Sequence, residues 1–163
     1  MARPADLAAI RDLFREMDRF HAAGEPALLR VPPVPRFSAS ELDELSACKT
    51  CFLAVAVVAG EVVGFVDASI RGPEDTTDRD VPWCSVNNLA VTERRRREGI
   101  GRQLTEATEA WAREKGVADV RLNVFAFNAD ARVFYEQRGY RVVSLQLHKA
   151  LDALRESTRD PGG

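Results

Sequence analysis

Apolar residues recur at three- and four-residue intervals over residues 6–21, and this pattern predicts an amphipathic helix. The proline-rich stretch at 30–37 can neither continue a helix nor enter a central strand, so we expect an ordered loop there. Ser38 and Glu41 have the spacing of a capping box, which predicts a second helix from Ala39 to Ala47. The N-terminal third is therefore predicted to be helix, loop, helix.

Two runs rich in β-branched residues follow within residues 51–70, separated by a short turn at Ala59, Gly60 and Glu61. They predict a β-hairpin with two heavily buried strands. The next segment, 71–82, is polar and holds four acidic residues and two prolines, so we expect an exposed connection. Residues 83–91 then predict a further strand.

The C-terminal half alternates helices and strands. We predict a helix over 98–115, a strand over 117–128 that is apolar on both faces like a buried central strand, a helix over 129–137 and a last strand over 140–151. Strand-helix-strand units call for parallel pairing, whereas the hairpin calls for antiparallel pairing. The expected fold class is mixed α/β, in one domain over 1–155 with a frayed tail at 156–163.

Composition narrows the class of protein. The chain has 163 residues, 45% of them hydrophobic and 29% charged, as expected of one globular domain. A net charge of -2 provides no general field for nucleic acid or an anionic membrane. No apolar run approaches a signal peptide or a membrane span, so we expect a protein that is neither secreted nor membrane-embedded.

The three cysteines are too few and odd in number for a disulfide scaffold, which favours a reducing, cytoplasmic setting. Cys48 and Cys51 have a metal-like spacing, but the two histidines, His21 and His148, do not complete a zinc motif. We therefore expect no metal and interpret this pair, like Cys84, as buried structural cysteines.

The most informative segment is 89–104, where a strand leads through a basic turn and two glycines into a helix. Gly99 and Gly101 would let an anion approach free backbone N–H groups at the positive end of the helix. Five arginines surround them, which suits a pyrophosphate: Arg94, Arg95, Arg96, Arg97 and Arg102. A solvated basic turn or a nucleic-acid patch is the alternative interpretation of this run alone.

Three motifs resemble those of the GNAT superfamily of acyl-CoA-dependent N-acyltransferases. The run from Arg96 to Gly101 resembles the Arg/Gln-x-x-Gly-x-Gly/Ala signature, and the block from Asn128 to Tyr140 resembles Asn-x-x-Ala-x-x-Phe/Leu-Tyr-x-x-x-Gly-Phe/Tyr. The ending from His148 to Leu151 is similar to the usual close of the family. The resemblance implies a mostly antiparallel sheet with a splayed parallel pair, flanked by about four helices, with the pantetheine arm between the splayed strands.

The resemblance also implies acetyl-CoA as co-substrate, an amine acceptor and direct transfer through a tetrahedral intermediate. Tyr135 matches the tyrosine that faces the thiol and would act as general acid, and a bulge near Asn88 would free an N–H for the oxyanion. Asn128 would cap its helix and contact the pantetheine. The implied cofactor-binding set is Leu89, Ala90, Val91, Arg96, Arg97, Glu98, Gly99, Ile100, Gly101, Arg102, Asn128, Ala131 and Tyr135.

The general base is not evident, since Asn87 and Asn88 stand where many family members have an acid. A relayed water, Asp67 or Glu74 could serve instead. We interpret Asp67 as an ordinary surface or turn acid, and His21 as a solvated histidine at a helix end.

The leading hypothesis is acetyl transfer to a primary amine of a small molecule, with the acidic residues 74–80 as a feature that could attract a cation. A catalytically silent acyl-CoA sensor is one alternative, and a protein N-terminal or lysine acetyltransferase is another. Nucleic-acid binding is disfavoured by the net charge of -2. An exposed sheet edge and an apolar last strand leave a homodimer open.

Overall fold

The computed structural model describes residues 1–73 and 81–151. Two compact units divide the chain, one from Met1 to Asn128 and one that begins at Ala129. The first unit contains the helices α1 (Leu7–Gly24), α2 (Ala39–Ala47) and α3 (Ile100–Glu114) and the strands β1 (Cys51–Val58), β2 (Glu61–Arg71), β3 (Trp83–Val91) and β4 (Asp119–Leu122). The second unit contains α4 (Ala129–Glu136). None of the described helices has both the length and the apolar character that crossing a bilayer requires.

The predicted helix-loop-helix start is confirmed. The capping box of α2 is formed in both directions, because Ser38 Oγ accepts from Glu41 N at 3.1 Å and Ser38 N donates to the Glu41 carboxylate at 2.6 Å. The loop between the helices is fixed to α1, where the buried Asp18 carboxylate accepts from Arg36 at 2.9 and 3.1 Å. This ion pair makes the proline-rich segment an ordered part of the fold.

The predicted hairpin is also confirmed. Ala59 and Gly60 have φ values of 51° and 84°, as a two-residue turn of type I′ requires. The sheet has the order β1-β2-β3-β4, with antiparallel pairing among the first three strands and parallel pairing between β3 and β4. This arrangement confirms the predicted mixed α/β class.

Two hydrophobic clusters cover the two faces of the sheet. Helix α3 packs on one face through Ile100 and Leu104, against Val63 and Val66 among others. Helices α1 and α2 pack on the opposite face, where Phe14 contacts Phe65 with ring centroids 4.6 Å apart. Each fully buried side chain of this size contributes about 1.5–3 kcal/mol to the free energy of unfolding.

A β-bulge interrupts β3 at Asn87. Asn88 lies opposite Asp67 in the ladder and Val86 lies opposite Ala68, so Asn87 is an extra residue without an opposite partner. The sequence predicted a bulge near Asn88, and the structure confirms it one residue earlier. Because of this extra residue, Leu89 and Val91 join Cys84 and Val86 in packing on the α3 side of the sheet.

The prediction of a buried strand over 117–128 is wrong in its second half. β4 ends at Leu122, after only four residues, and Phe125 is 40% exposed. The parallel ladder stops at Val86 and Leu122, directly before the bulge. Since a bulge removes the regular spacing that a neighbouring strand needs, the chain leaves the sheet there and its phenylalanines pack against α1 instead.

The predicted last strand over 140–151 is also wrong, since residues 141–151 form neither helix nor strand and are exposed. Leu147 is 92% and Leu145 80% exposed. No backbone hydrogen bond involves this segment within the described part of the chain. A period-two apolar pattern shows that a segment can enter a sheet, but the strand forms only where another edge supplies its hydrogen bonds.

The expectation that Cys48 and Cys51 are both buried is wrong as well. Cys48 and Cys51 are half-buried and form a disulfide across the turn between α2 and β1, with their Cα atoms 5.2 Å apart. Cys84 is free and buried, as predicted. The Cys-x-x-Cys spacing brings the two sulfurs together because the chain ends α2 at one cysteine and begins β1 at the other.

Reduction of this disulfide should lower the free energy of unfolding by at most about 2 kcal/mol, the loop-closure value for so short a loop. Urea unfolding with and without a phosphine reductant measures the change. A double variant with Cys48→Ser and Cys51→Ser should show no response to the reductant. A loss in the wild type larger than about 2 kcal/mol would mean that the bond fixes more than its own turn.

Candidate active site

The N-terminus of α3 has the features of an anion-binding site: a glycine N-cap, free backbone N–H groups and the positive end of the helix dipole. Gly99 is the N-cap residue, has a φ of 81° and, as a glycine, provides no side-chain cap. The first helical hydrogen bond runs from Gln103 N to Gly99 O at 3.1 Å, so the N–H groups of Ile100, Gly101 and Arg102 precede the helical ladder. These N–H groups and the helix dipole favour a negative charge at this end of α3.

Glu16 of α1 fixes the loop that leads into this helix. Its carboxylate accepts from Glu93 N at 2.6 Å and from Thr92 Oγ1 at 3.0 Å, and it forms an ion pair with Arg96 at 3.4 Å. The Arg96 guanidinium also lies over the ring of Phe20, 5.7 Å from its centroid. Arg96 therefore joins α1 to the basic turn, a contact that the sequence did not suggest.

The other arginines of the basic turn lie close in sequence to the start of α3. Arg97 has a φ of 67°, so two left-handed residues, Arg97 and Gly99, shape the turn. The neighbouring charges are balanced locally by ion pairs on the surface: Arg94 with Glu61, Arg95 with Glu98, and Arg102 with Glu106. Such exposed pairs contribute little to stability, so an incoming phosphate can replace them at low cost.

β3 presents backbone groups at the edge where β4 has ended. Thr92 N donates to Val63 O at 2.9 Å, and hydrogen-bonded pairs alternate along an antiparallel ladder. Leu89 and Val91 are therefore in non-hydrogen-bonded positions, and their N–H and C=O groups point away from β2. The ladder with β4 ends at Val86, so among the described strands none pairs with this part of the edge.

Asp67 lies beside the bulge and is buried, with 6% of its surface exposed. Its Oδ2 accepts from Asn88 Nδ2 at 2.9 Å, and its Oδ1 accepts from Asn87 Nδ2 at 3.3 Å. The interpretation of Asp67 as a surface or turn acid is wrong. An acid inside a β-branched run, opposite two asparagines, was the signal that could have revealed its position.

An aromatic cluster joins α1 to the segment after β4. His21 lies 4.9 Å from Phe125 and 6.3 Å from Phe127 between ring centroids, and Phe20 lies 5.6 Å from Phe127. The Phe127 ring also leaves no space for a Cβ at Gly24. The sequence analysis missed this cluster because it placed both phenylalanines in a central strand.

His21 is half-buried in this cluster, so its interpretation as a solvated helix-end histidine is wrong. Burial lowers the pKa of His21 below 6.5, and the nearby Asp18 carboxylate opposes that shift. The folded state therefore favours the neutral imidazole. The unfolded chain binds a proton more readily, so stability should fall as the pH drops through 6.5 toward the folded pKa.

We expect a His21→Phe variant to lose part of this acid sensitivity, because phenylalanine preserves the ring contacts and does not titrate. Urea unfolding at about pH 7, 6 and 5 measures it, a range that brackets the usual histidine pKa. His148→Gln, which changes an exposed histidine, is the control and should leave the pH dependence as in the wild type. Equal pH dependence in the wild type and His21→Phe would contradict the assignment.

Tyr135 belongs to α4 in the second unit. Its ring packs edge-on against Phe134 and Tyr140, with centroids 4.9 and 5.3 Å apart. Burial raises the pKa of Tyr135 to about 12, and the Arg138 charge partly opposes this shift. The phenol therefore keeps its proton throughout the neutral range.

The remaining predicted residues occupy the following places. Asn128 directly precedes α4, and its N–H donates to Phe125 O at 2.9 Å. Ala131 is half-buried on α4. The acidic residues Glu74, Asp75, Asp78 and Asp80 lie outside the described residues, as does the tail at 156–163. Among the described residues, no group of three or more His, Cys, Asp or Glu side chains could hold a metal ion.

The model of the acetyltransferase (GNAT) family matches residues 9–140. The chain belongs to this family. The match includes the α3 N-terminus, the bulged β3 and the Tyr135 block, the parts of the GNAT chain that the motifs had singled out. No curated protein sequence matches it significantly.

Solved structures show the same fold at low sequence identity. A mutant of the BH1408 protein from Bacillus halodurans is 22% identical over 92% of this GNAT chain and 96% of its own, with a TM-score of 0.84. The aminoglycoside N-acetyltransferase AAC(6')-Iy in complex with CoA is 17% identical over 92% and 96%, with a TM-score of 0.70. AAC(6')-IG from Acinetobacter haemolyticus, an aminoglycoside 6'-N-acetyltransferase, is 16% identical over 93% and 95%, with a TM-score of 0.67.

Proposed function

We propose that this protein transfers an acetyl group from acetyl-CoA to a primary amine of a small molecule, directly and through a tetrahedral intermediate. One observation carries the proposal: the uncapped start of α3 at Gly99 and the edge of β3 at Leu89 and Val91, which no described strand covers, follow each other along one segment. The first suits a pyrophosphate and the second suits the amide groups of a pantetheine arm. Membership of the GNAT family supports the same assignment.

Different residues of this segment would bind different parts of acetyl-CoA. N–H groups of Ile100, Gly101 and Arg102 would receive the pyrophosphate, with Arg97 and the side chain of Arg102 nearby. Backbone groups of Leu89 and Val91 would hold the thioester and the pantetheine, with Ala90 between them and Glu98 before the glycine turn. Arg96 would act by fixing the turn through Glu16, at 3.4 Å, as well as by its charge.

Two residues would take part in the chemistry. The bulge at Asn87 and Asn88 breaks the regular ladder next to Leu89, which supports an oxyanion role for a backbone N–H there. Tyr135 would protonate the departing thiolate. Its phenol carries a proton at neutral pH, because burial raises its pKa to about 12. Asn128 and Ala131 would border the pantetheine at the start of α4.

Two of the similar structures are described as aminoglycoside acetyltransferases, which act on a small molecule, and this supports a small-molecule acceptor as a proposal. At 17% and 16% identity the likeness itself shows only the fold. We further propose one domain over 1–155, since the family match crosses the boundary between the two units. A cytoplasmic location and a homodimer are also proposals, and because of the Cys48–Cys51 disulfide the first no longer rests on the cysteine count. The exposed apolar segment 141–151 supports the second of these.

The test is a calorimetric titration with acetyl-CoA, followed by measurement of thiol release against a panel of primary amines. The proposal expects micromolar binding and thiol release that depends on one or more amines. Binding without release from any small amine or from N-terminal and lysine peptides would support the alternative, a silent acyl-CoA sensor. Release from peptides alone would support a protein acetyltransferase, and absence of binding would overturn the proposal.

A further inference from the structure

Three buried carboxylates occur among the described residues, and one of them differs from the other two. Asp6 and Asp18, 5% and 6% exposed, form ion pairs with Arg3 and Arg36. Asp67 is equally buried, at 6%, but forms no ion pair within the described part of the chain. Burial of an unpaired charge is costly, and two neutral amide donors do not balance it.

The hydrogen bonds around Asp67 fix the orientation of its donors. Ser85 Oγ donates to Asn87 Oδ1 at 3.2 Å, so the Asn87 amide nitrogen is turned toward Asp67 Oδ1 and Ser69 Oγ, both at 3.3 Å. A carboxylate can accept about four hydrogen bonds, and the two asparagines occupy two of these positions. Two further acceptor positions on Asp67 therefore have no hydrogen-bond donor among the described residues.

The position of Asp67 relates it to the proposed acyl site. It lies on the same face of β2 as Phe65, which packs against α1, because the two residues are two positions apart. Asp67 is directly opposite Asn88, and Leu89 is the next residue along β3, about 3.4 Å further. The buried charge thus lies beside the edge that would hold the thioester.

From this geometry we propose that Asp67 binds the ammonium group of the acceptor and takes one of its protons. The ligand class is a primary alkylammonium, whose N–H donors fit the two remaining acceptor positions and whose charge balances the carboxylate. The inference rests on the proposed acetyl transfer and names the group that selects its substrate. It also assigns the base to Asp67 on β2, directly across the ladder from the asparagines of β3.

The proton and electron balance of the step is as follows. Asp67 accepts one proton from the ammonium, which leaves a neutral amine with its lone pair. The amine nitrogen forms a bond to the acetyl carbon as the carbonyl electrons move to oxygen, and the C–S bond then breaks with the electron pair on sulfur. The carbonyl re-forms as sulfur leaves, and the thiolate takes the proton of Tyr135. The second amine proton passes to water, Tyr135 regains a proton from water, and Asp67 returns its own proton to water, so that one proton is released for each acetyl group transferred.

The decisive variant is Asp67→Asn, which preserves the shape and removes the charge. Wild type and variant are titrated with acetyl-CoA, and kcat/KM is measured by thiol release for n-butylamine, tyramine, spermidine and kanamycin. We expect kcat/KM for the best amine to fall about 100-fold or more, with the acetyl-CoA Kd changed less than two-fold. Asp119→Asn, an exposed charge removal on β4, is the matched control and should act like the wild type.

The free energy of unfolding, compared with acetyl-CoA affinity and kcat/KM, separates this function from a structural role. Asp67→Asn keeps only one acceptor oxygen for the two asparagine donors, so a small fall in the free energy of unfolding is expected in any case. A carboxylate that only supports the fold would, when neutralised, lower stability, acetyl-CoA affinity and kcat/KM together. Urea unfolding of Asp67→Asn measures this. Parallel losses of stability, acetyl-CoA affinity and kcat/KM would overturn the proposal, as would kcat/KM within three-fold of the wild type.

A binding experiment keeps the two proposals distinguishable. Spermidine and kanamycin are titrated into wild type and Asp67→Asn, with CoA present and with no cofactor. If the wild type binds an amine and the variant does not, the Asp67 site is supported. Failure of the wild type to bind acetyl-CoA would overturn only the proposed acetyl transfer. A wild type that binds neither amine, or a variant that binds them equally, overturns the Asp67 site and leaves acetyl-CoA binding intact.

Discussion

A Gly99→Val variant should bind acetyl-CoA about 10- to 100-fold more weakly than the wild type. Gly99 has a φ of 81°, which a β-branched residue adopts only with strain, and a side chain there would enter the space in which a pyrophosphate meets the start of α3. Loss of one hydrogen bond to a charged group, about 1.5–3 kcal/mol, gives a change of this size. Calorimetric titration with acetyl-CoA measures it.

Gly116→Val is the matched control for this experiment. Gly116 follows the other end of α3 with a φ of 75°, and open space surrounds its Cβ position just as at Gly99, where only one side-chain atom comes within 4.0 Å. Both variants should lose similar stability from the strained backbone. Equal weakening of acetyl-CoA binding in both would show that the effect is a general loss of helix α3, and the pyrophosphate assignment would fail.

Tyr135→Phe should lower kcat by about 100- to 1000-fold, the usual contribution of a positioned general acid, with the acetyl-CoA Kd within two-fold of the wild type. The variant removes only the hydroxyl and preserves the ring contacts with Phe134 and Tyr140. Steady-state thiol release with a saturating amine measures kcat. Since the pKa of Tyr135 is about 12, the wild-type rate should show no decline from its ionisation below about pH 11.

Tyr140→Phe provides the comparison, because it removes a hydroxyl from the neighbouring ring without touching the assigned donor. Its kcat should stay within a few-fold of the wild type. If Tyr135→Phe also retains full turnover, water suffices to protonate the thiolate and Tyr135 is only a packing residue. A fall in acetyl-CoA affinity that matches the fall in kcat would instead place Tyr135 in binding.

The sequence predicted correctly those features that depend on contacts between residues close together in the chain. The capping spacing of Ser38 and Glu41 gave the start of α2 to the residue, and the turn at Ala59 and Gly60 gave the hairpin. Gly99 at the start of α3 was found because a positive φ favours a residue without a side chain. In each case the determining contacts lie within a few residues of one another.

Features that depend on distant partners were predicted less well. The pattern of 141–151 is that of a strand, but pairing requires an edge elsewhere in space, and the described structure supplies none. Phe125 and Phe127 alternate like strand residues and yet pack against Phe20 and His21 of α1. Asp67 was underestimated because its significance comes from asparagines that lie 20 and 21 positions further along the chain.

Because of the single extra residue at Asn87, the number of residues in β3 determines the direction in which its later backbone groups point. Upstream of it the chain is in register with β2 and β4, and downstream it is one position out of phase, which turns the Leu89 and Val91 backbone toward the uncovered edge. A deletion at the bulge would reverse that direction, and an insertion before Gly99 would separate the edge from the start of α3. In this short stretch the number of residues is therefore constrained as well as their identity.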